Sequence, residues 1–289
     1  MPELPEVETI RRSLEDRVRG RRVLRAEFRR TDILKPDPRT TEGSALRNAA
    51  RTEGATIFAI GRRGKHLLLE MDGGWGWTVG FGMTGSLILE ESGGPEEDHT
   101  HVVWSLEGGA SLRFRDPRRF GYWGAAEIPP VEGVLEGRVG VDALDPALDA
   151  SGFADLLRDS RVPIKCRLLD QRLVAGLGNI YVDEILFASR VNPCTPARDL
   201  DPGAWGRLFD NTVRILEAAV ANRGTTFSDY RDGTGEAGGN QEHLAVYGRG
   251  GSPCNRCGAE IVRMTFRGRG THLCPDCQDY NAKGGGAGA

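Results

Sequence analysis

Two Cys-x2-Cys pairs, Cys254 with Cys257 and Cys274 with Cys277, constrain this chain more than any other feature, with 16 residues between the pairs. Four thiolates so spaced can surround one tetrahedral zinc ion, each pair gripping one side from a tight turn. Pro253 and Gly258 supply the turn chemistry, and 261–266 and 271–273 read as the two arms of a hairpin between the pairs. Such a site is closed, all four positions being protein sulfur, so the zinc is structural rather than catalytic. Arg267 and Arg269 fall at the hairpin tip. An arginine on a zinc-stapled turn is well held for a phosphate or a groove, but spacing alone does not separate that use from ordinary exposure. Cys166 and Cys194 lie outside the pattern and read as buried or incidental thiols.

The rest of the chain is long enough, at 289 residues, for two domains with separate cores. Glycine stands out, 40 residues being about twice the usual share of ~7%, which implies many turns and close backbone approaches. No apolar run reaches the ~18 residues of a membrane span, and no basic-then-apolar signal opens the chain. The expectation is a cytosolic protein, where clustered cysteines bind metal more often than they form disulfides. The net charge of −3 does not suggest a nucleic-acid partner, but its distribution does. Residues 11–30 hold nine arginines (11, 12, 17, 19, 21, 22, 25, 29 and 30), whereas 90–160 is acidic. One face toward phosphate would explain this asymmetry, and a solvated helix surface would explain it equally well.

Periodicity divides the chain. Pro5 suits the first turn of a helix carrying Val7, Ile10, Leu14 and Val18 at spacings of three and four. Glu6 and Glu8 suit its N-terminal dipole. Ser44 caps a second, short helix. Strand-like runs follow at 56–60, 65–70, 75–79, 86–90, 101–106 and 111–115, separated by polar or glycine-rich turns, which predicts an antiparallel sandwich or barrel. Segment 61–64 reads as a basic hairpin tip. Past about residue 150 helical spacing takes over, at 153–158, 163–171, 179–189 and 202–222, before a glycine-rich loop to Gln241.

The N-terminus is itself a reagent. Removal of Met1 would leave Pro2 as a secondary amine, whose reference pKa near 8 leaves a sizeable neutral fraction at pH 7. Such an amine attacks an electrophilic sugar carbon to give an iminium, and Glu3 beside it could move protons. Taken alone the Met-Pro-Glu start is a weak signal.

The combination is not weak. Residues Met1-Pro2-Glu3-Leu4-Pro5-Glu6-Val7-Glu8-Thr9 resemble the start of the bacterial formamidopyrimidine-DNA glycosylase family. Further matches are Arg63-Gly64-Lys65-His66, Gly82-Met83-Thr84-Gly85-Ser86, Asp116-Pro117-Arg118-Arg119-Phe120-Gly121, Gly176-Leu177-Gly178-Asn179-Ile180-Tyr181, Val246-Tyr247-Gly248-Arg249 and the four cysteines. They follow the family's order from residue 1 to about 280.

The resemblance implies an α+β fold: an N-terminal antiparallel β-sandwich, then a C-terminal helical domain with a helix–two-turn–helix motif and a β-hairpin zinc finger. The implied division is 1–130 for the N-terminal helix and catalytic sandwich, with a linker at 131–150. A DNA-binding helical domain follows at 151–245, with a lesion-capping loop at 224–241. The zinc finger takes 246–280, and 281–289 is a disordered tail. The implied activity is base-excision repair: a glycosylase with abasic-site lyase activity that removes oxidised purines such as 8-oxoguanine and formamidopyrimidines by β,δ-elimination. Pro2 is then the nucleophile and Glu3 the general acid/base, with Lys65 and Arg269 also catalytic. Met83, Arg119 and Phe120 would fill the gap left by an everted nucleotide. His99, Arg118, Lys165 and Asn179 would hold DNA, Asn179 beside a helix N-terminus. Without the family, Met83 and Phe120 read more readily as core, and Glu184 as a structural hydrogen-bonding group. One structural zinc on Cys254, Cys257, Cys274 and Cys277 is the implied cofactor, and damaged or abasic double-stranded DNA the partner of a monomer working at the bacterial nucleoid.

Three departures concern lesion preference. Gly80 stands where the family usually has histidine, Cys166 replaces a common proline, and the 228–241 loop is atypical. The alternatives are an endonuclease VIII-like enzyme for oxidised pyrimidines and a lesion-binding protein that does not cut.

Overall fold

Helix α1 (Leu4–Val18) forms as its sequence dictates, with Pro5 in the first turn and a capping box between Glu3 and Glu6 in which the Glu3 N–H donates to Glu6 Oε2 at 2.8 Å. Leu4, Val7, Ile10, Leu14 and Val18 form one wholly buried stripe. The computed structural model describes residues 2–40, 43–91 and 93–279. These fall into two units, Met1–Arg138 with Val220–Gln241, and Val139–Ala219 with Glu242–Ala289.

The first unit is a β-sandwich. One sheet has the order β1 (Val23–Phe28), β7 (Thr100–Leu106), β8 (Ser111–Arg115), β6 (Ser86–Glu90) and is wholly antiparallel. The other has the order β2 (Leu34–Lys35), β9 (Tyr122–Ala126), β5 (Gly76–Gly80), β4 (His66–Met71), β3 (Ile57–Arg63), antiparallel except for β2 beside β9. A second helix, α2 (Ser44–Thr52), accompanies them. The sheets meet through aromatic rings: Trp104 of β7 lies 5.0 Å from Trp123 of β9, Phe28 of β1 lies 5.2 Å from Trp77 of β5, and Phe114 of β8 lies 5.9 Å from Trp123. Edge-to-face and tilted pairs like these add to simple area burial.

Strands β1 and β9 were missed by periodicity. β1 lies within the arginine-rich stretch, where Leu24, Ala26 and Phe28 alternate with charge. That stretch is also not a free basic face. Arg11 and Arg12 grip Glu8, Arg11 also reaches Glu15, Arg21 pairs with Glu91, Arg25 with Glu27, and Arg29 with Glu27 and Glu96. Arg62, expected at a basic hairpin tip, lies against Glu8 at 3.1 Å. Burial alone would raise the Glu8 carboxyl, but hydrogen bonds from Arg11 and Arg12 and the nearby Arg62 charge hold it at about 2.

The expected domain borders shift. The 131–150 segment is not a free linker: Val131–Leu135 forms a 3-10 turn whose Val131, Val134 and Leu135 are buried against β4, β5 and β9, and Val141–Asp142 (β10) belongs to the second unit. The 224–241 loop, placed by sequence with the helical domain, belongs to the sandwich unit. Glu6 Oε1 accepts the Thr225 N–H at 2.7 Å, Ser13 Oγ accepts the Gly233 N–H at 2.9 Å, and the Tyr230 hydroxyl donates to the Glu6 carbonyl at 3.3 Å. A Cβ at Gly233 would lie 2.4 Å from Leu14 Cγ, so the loop seats on α1 only with glycine there.

The second unit holds α3 (Ala150–Leu157), α4 (Ile164–Leu169), α5 (Asn179–Ala188) and most of α6 (Pro202–Ala221). A parallel pair joins β10 to β11 (Val174–Ala175), and a hairpin joins β12 (Val262–Phe266) to β13 (Arg269–Leu273). Phe187, Val246, Ile261, Cys254 and Cys274 share one small core. The 246–280 segment thus packs with the helices rather than standing alone, and 281–289 lies outside the described residues. Among the described residues no helix is long and apolar enough to cross a membrane.

Trp123 touches rings from both sheets and is fully buried. Trp123→Ala is expected to cost ~3–5 kcal/mol in urea unfolding. An unchanged midpoint would show that the ring cluster is not the core that joins the sheets.

Candidate functional site

Within the sandwich unit the sequence-selected residues occupy one end of the five-stranded sheet. Pro2 is buried ahead of α1, and Glu3, its N-cap residue, is 2% exposed. Lys65 was expected on a strand. It lies instead, half-buried, in the tight turn between β3 and β4. The loop leaving β5 carries Met83, and the turn entering β9 carries Arg118, Arg119 and Phe120.

These two loops are one construction. Asp116 is fully buried and no arginine or lysine pairs with it in any described ion pair. Its Oδ1 accepts the Thr84 hydroxyl at 2.6 Å and the Arg118 N–H at 3.3 Å, while Oδ2 accepts the Gly121 N–H at 2.7 Å. The Asp116 N–H donates to the His99 carbonyl at 3.1 Å, and His101 Nε2 lies 2.9 Å from the Asp116 carbonyl. Glycines let the loops touch backbone to backbone. Gly82 has φ +58°, and a Cβ there would lie 2.6 Å from the Phe120 carbonyl carbon; one at Gly121 would lie 2.8 Å from the Gly80 oxygen.

The loops therefore hold their outward side chains on a fixed base. Met83 is 45% and Phe120 57% exposed, which overturns the reading of these two as core. Arg118 stacks its guanidinium 4.8 Å from the Phe120 ring centre. Arg119, at φ +58°, and His99, at φ +67°, are exposed beside them. The arrangement offers a thioether, an aromatic ring and a stacked cation to solvent from a rigid edge, which suits insertion between stacked planar groups.

In the helical unit, Lys165, Asn179 and Arg269 converge on the zinc hairpin. Lys165 requires a correction. Its ammonium is 1% exposed and all three donors are committed, to Asp183 Oδ1 at 2.6 Å, Thr271 Oγ1 at 2.8 Å and the Gly270 carbonyl at 3.1 Å. With no donor left and no exposure, Lys165 is a hairpin anchor, not a DNA ligand. Asp183 completes the anchor by accepting the His272 N–H at 2.9 Å. Asn179, first residue of α5, gives its side-chain N–H to the same Gly270 carbonyl at 2.8 Å. Arg269 itself is exposed, on a backbone held by these contacts. Glu184 is structural, its carboxylate accepting the N–H groups of Ala245, Val246 and Tyr247 at 2.8–2.9 Å.

The four cysteine sulfurs all lie within 4.8 Å of one another, with Cys254 to Cys277 at 4.0 Å and Cys257 to Cys274 at 3.4 Å. Zn–S bonds of about 2.3 Å at tetrahedral angles place sulfurs about 3.8 Å apart, whereas a disulfide brings them to about 2 Å. The donors fit one zinc ion, and that ion would fasten the hairpin that bears Arg269.

Sequence reasoning missed Asp116, Asp183 and Tyr230 as organising groups. A visible signal existed for Asp116, an acidic residue ahead of Pro117 in a turn, where such a carboxylate commonly takes backbone N–H groups. No comparable signal marked Asp183.

A β-sandwich joined in sequence to helices and a four-cysteine hairpin defines a zinc-finger protein of the α+β class. Family models match over residues 1–123 (formamidopyrimidine-DNA glycosylase N-terminal domain), 139–231 (formamidopyrimidine-DNA glycosylase H2TH domain) and 251–279 (zinc finger found in FPG and IleRS). The chain belongs to the formamidopyrimidine-DNA glycosylase family. It is 47% identical to the formamidopyrimidine-DNA glycosylase of Moorella thermoacetica, over 91% of this chain and 94% of that protein. It is similar to Lactococcus lactis FPG solved with Fapy-dG-containing DNA, at TM-score 0.85 and 35% identity over 96% of this chain and 99% of that one. The same enzyme solved with oxidised-pyrimidine-containing DNA matches with equal score, identity and coverage.

Two experiments follow. Asp116→Ala removes the acceptor shared by Thr84, Arg118 and Gly121 and leaves the buried Gly121 N–H unsatisfied, which typically costs ~1–3 kcal/mol, and it frees both loops; duplex binding to a lesion analogue is expected to weaken while zinc content stays at one per chain. Unchanged binding would mean that the loops hold themselves. Removing zinc with a chelator is expected to abolish duplex binding and to leave the tryptophan emission of the sandwich native, because all five tryptophans but Trp205 lie in that unit. Retained binding after metal analysis shows loss of zinc would contradict the fastening role.

Proposed function

We propose that the chain is a base-excision-repair glycosylase and abasic-site lyase that removes oxidised purines, 8-oxoguanine and formamidopyrimidines among them, from duplex DNA in the cytoplasm, at the nucleoid. The observation that carries this reading is the pair of loops clamped on Asp116. They hold Met83 and Phe120 exposed on a fixed base, from which a thioether and an aromatic ring can enter a stack of bases.

A base within a duplex is out of reach, and extruding it costs a few kcal/mol. Met83, Arg119 and Phe120 fill the gap in the stack, with the Arg118 guanidinium stacked on the Phe120 ring. His99, Arg118, Asn179 and Arg269 hold the DNA beside it. Once Met1 is absent, the Pro2 nitrogen attacks C1′ of the everted nucleotide. The C1′–N bond breaks, its electron pair leaves with the base, and the base takes a proton. Glu3, next in sequence, supplies and removes protons while the sugar ring opens to an iminium. That iminium acidifies C2′–H. Loss of this proton expels the 3′ phosphate, and a second elimination expels the 5′ phosphate. Lys65, in the turn facing the same end of the sheet, stabilises the phosphate or assists proton transfer. The zinc supplies no chemistry to these steps; it fastens the Arg269 hairpin.

A preference for oxidised pyrimidines is the second reading, supported by the oxidised-pyrimidine complex of the Lactococcus lactis relative. A duplex panel with one lesion opposite each base decides between them.

Borohydride trapping on abasic-site DNA is expected to give a covalent adduct with the wild-type chain and a greatly reduced one with Pro2→Gly. No adduct, or an adduct in a fully active preparation that keeps Met1 by mass spectrometry, would rule out the amine mechanism.

A further inference from the structure

The last row of the five-stranded sheet, at the end bearing the candidate loops, consists of His66 on β4, Gly80 on β5 and Tyr122 on β9. His66 pairs with Gly80, and Gly80 with Tyr122. Each member is joined by the chain to one loop: His66 follows the Lys65 turn, Gly80 precedes the loop of Met83, and Tyr122 follows Arg118-Arg119-Phe120-Gly121. Residues directly paired across neighbouring strands project on one face, so the three side-chain positions form a line. Its central position has no side chain.

The Tyr122 ring takes that space. A Cβ at Gly80 would lie 2.4 Å from Tyr122 Cε1 and 2.8 Å from Cδ1. Lying over β5, the ring reaches toward His66, their centroids 6.0 Å apart. On its other side a Cβ at Gly124 would come 3.3 Å from Tyr122 Cε2, so that glycine too leaves the ring its space. An aromatic ring laid over a cross-strand glycine restores packing that the glycine gives up. Burial drives the His66 imidazole down to about 4, so it is neutral near pH 7, and burial raises the Tyr122 phenol, which stays protonated.

We propose that Tyr122 is a positioning residue of the lesion site, its ring bridging the gap over Gly80 so that the Lys65 turn keeps register with the loops of Met83 and Arg118–Phe120. The proposal rests on the excision activity argued above. Wedge residues must resist the closing of the base stack, and the ring opposes relative movement of three strands whose central residue is the most pliable type. The demand falls on eversion. An abasic site has no base to extrude and leans on it less.

Single-turnover excision of an oxidised purine, cleavage of a preformed abasic site and thermal unfolding test this together. Tyr122→Phe keeps the ring and is expected to excise within about twofold of wild type. Tyr122→Ala is expected to slow excision by a factor on the order of ten while slowing abasic-site cleavage much less, since small misplacements in a reacting assembly carry large rate costs. Gly80→His alone meets the Tyr122 ring and is expected to lose excision, whereas Gly80→His with Tyr122→Ala refills the gap from the central strand and recovers most of it. Should Tyr122→Ala not fold, Tyr122→Leu carries the same expectation. Wild-type excision by the folded alanine variant would overturn the proposal. Equal losses on both substrates that track the melting temperature, with no recovery in the double variant, would also overturn it. A wild-type chain that neither excises nor cleaves would sink the activity, and the proposal with it.

Discussion

A carboxylate taken out of water must have its oxygens satisfied, and Asp116 meets that demand with two loops rather than with a counter-charge. Thr84 comes from the loop after β5, while Arg118 and Gly121 come from the turn before β9. Neither loop can move without leaving a buried oxygen unpaired, a cost comparable to a sizeable part of a domain's stability. Everything proposed for the sandwich edge depends on this. A methionine and a phenylalanine left in water would otherwise fold back onto the nearest apolar surface, and the energy for parting stacked bases would be lost to loop motion.

Charge in this chain is segregated along the sequence and largely paired in space. The arginines of 11–30 meet Glu8 and Glu15 on their own helix and Glu91 and Glu96 from the acidic stretch. Arg47 meets Glu127, and Arg115 meets Glu97. Most of these pairs are exposed and add little stability. Their consequence is electrostatic. The pairs neutralise much of the arginine-rich stretch, while Arg118 and Arg119 on the Asp116 clamp, and Arg269 on the zinc hairpin, are exposed cations on built platforms.

The sequence made some features legible because their physics is local. Helix α1 was readable from one apolar stripe and a proline, and the zinc module from four cysteines whose ligand geometry depends on turns only a few residues long. Most strands of the sandwich announced themselves as short runs between polar or glycine-rich turns. Strand β1 did not, since its short alternation of Leu24, Ala26 and Phe28 with charge lies inside a run of arginines, and β9 did not, since Tyr122-Trp123-Gly124-Ala125-Ala126 is buried on both faces. The 224–241 loop was assigned to its neighbours in sequence, whereas its partners Glu6, Ser13 and Leu14 lie at the far end of the chain. Lys165 was misread for the same reason: Asp183, Gly270 and Thr271, which use up its donors, are not near it in sequence.

The two units solve one problem in the same way. An exposed arginine on a flexible loop loses much of its value as a clamp, because each binding event must first order it. In the sandwich, the ordering is done beforehand by a buried anion that collects N–H and O–H donors around Arg118. In the helical unit it is done by a buried ammonium and an amide that collect on one carbonyl, that of Gly270, next to Arg269. The signs are opposite because the available backbone groups are opposite: the turn at 116–121 points N–H groups inward, and the hairpin points a carbonyl. A buried charge adds little net stability when all its partners are present and costs much when one is lost. Its effect is therefore to make the loop geometry all-or-none, which is the property a clamp on a distorted duplex requires.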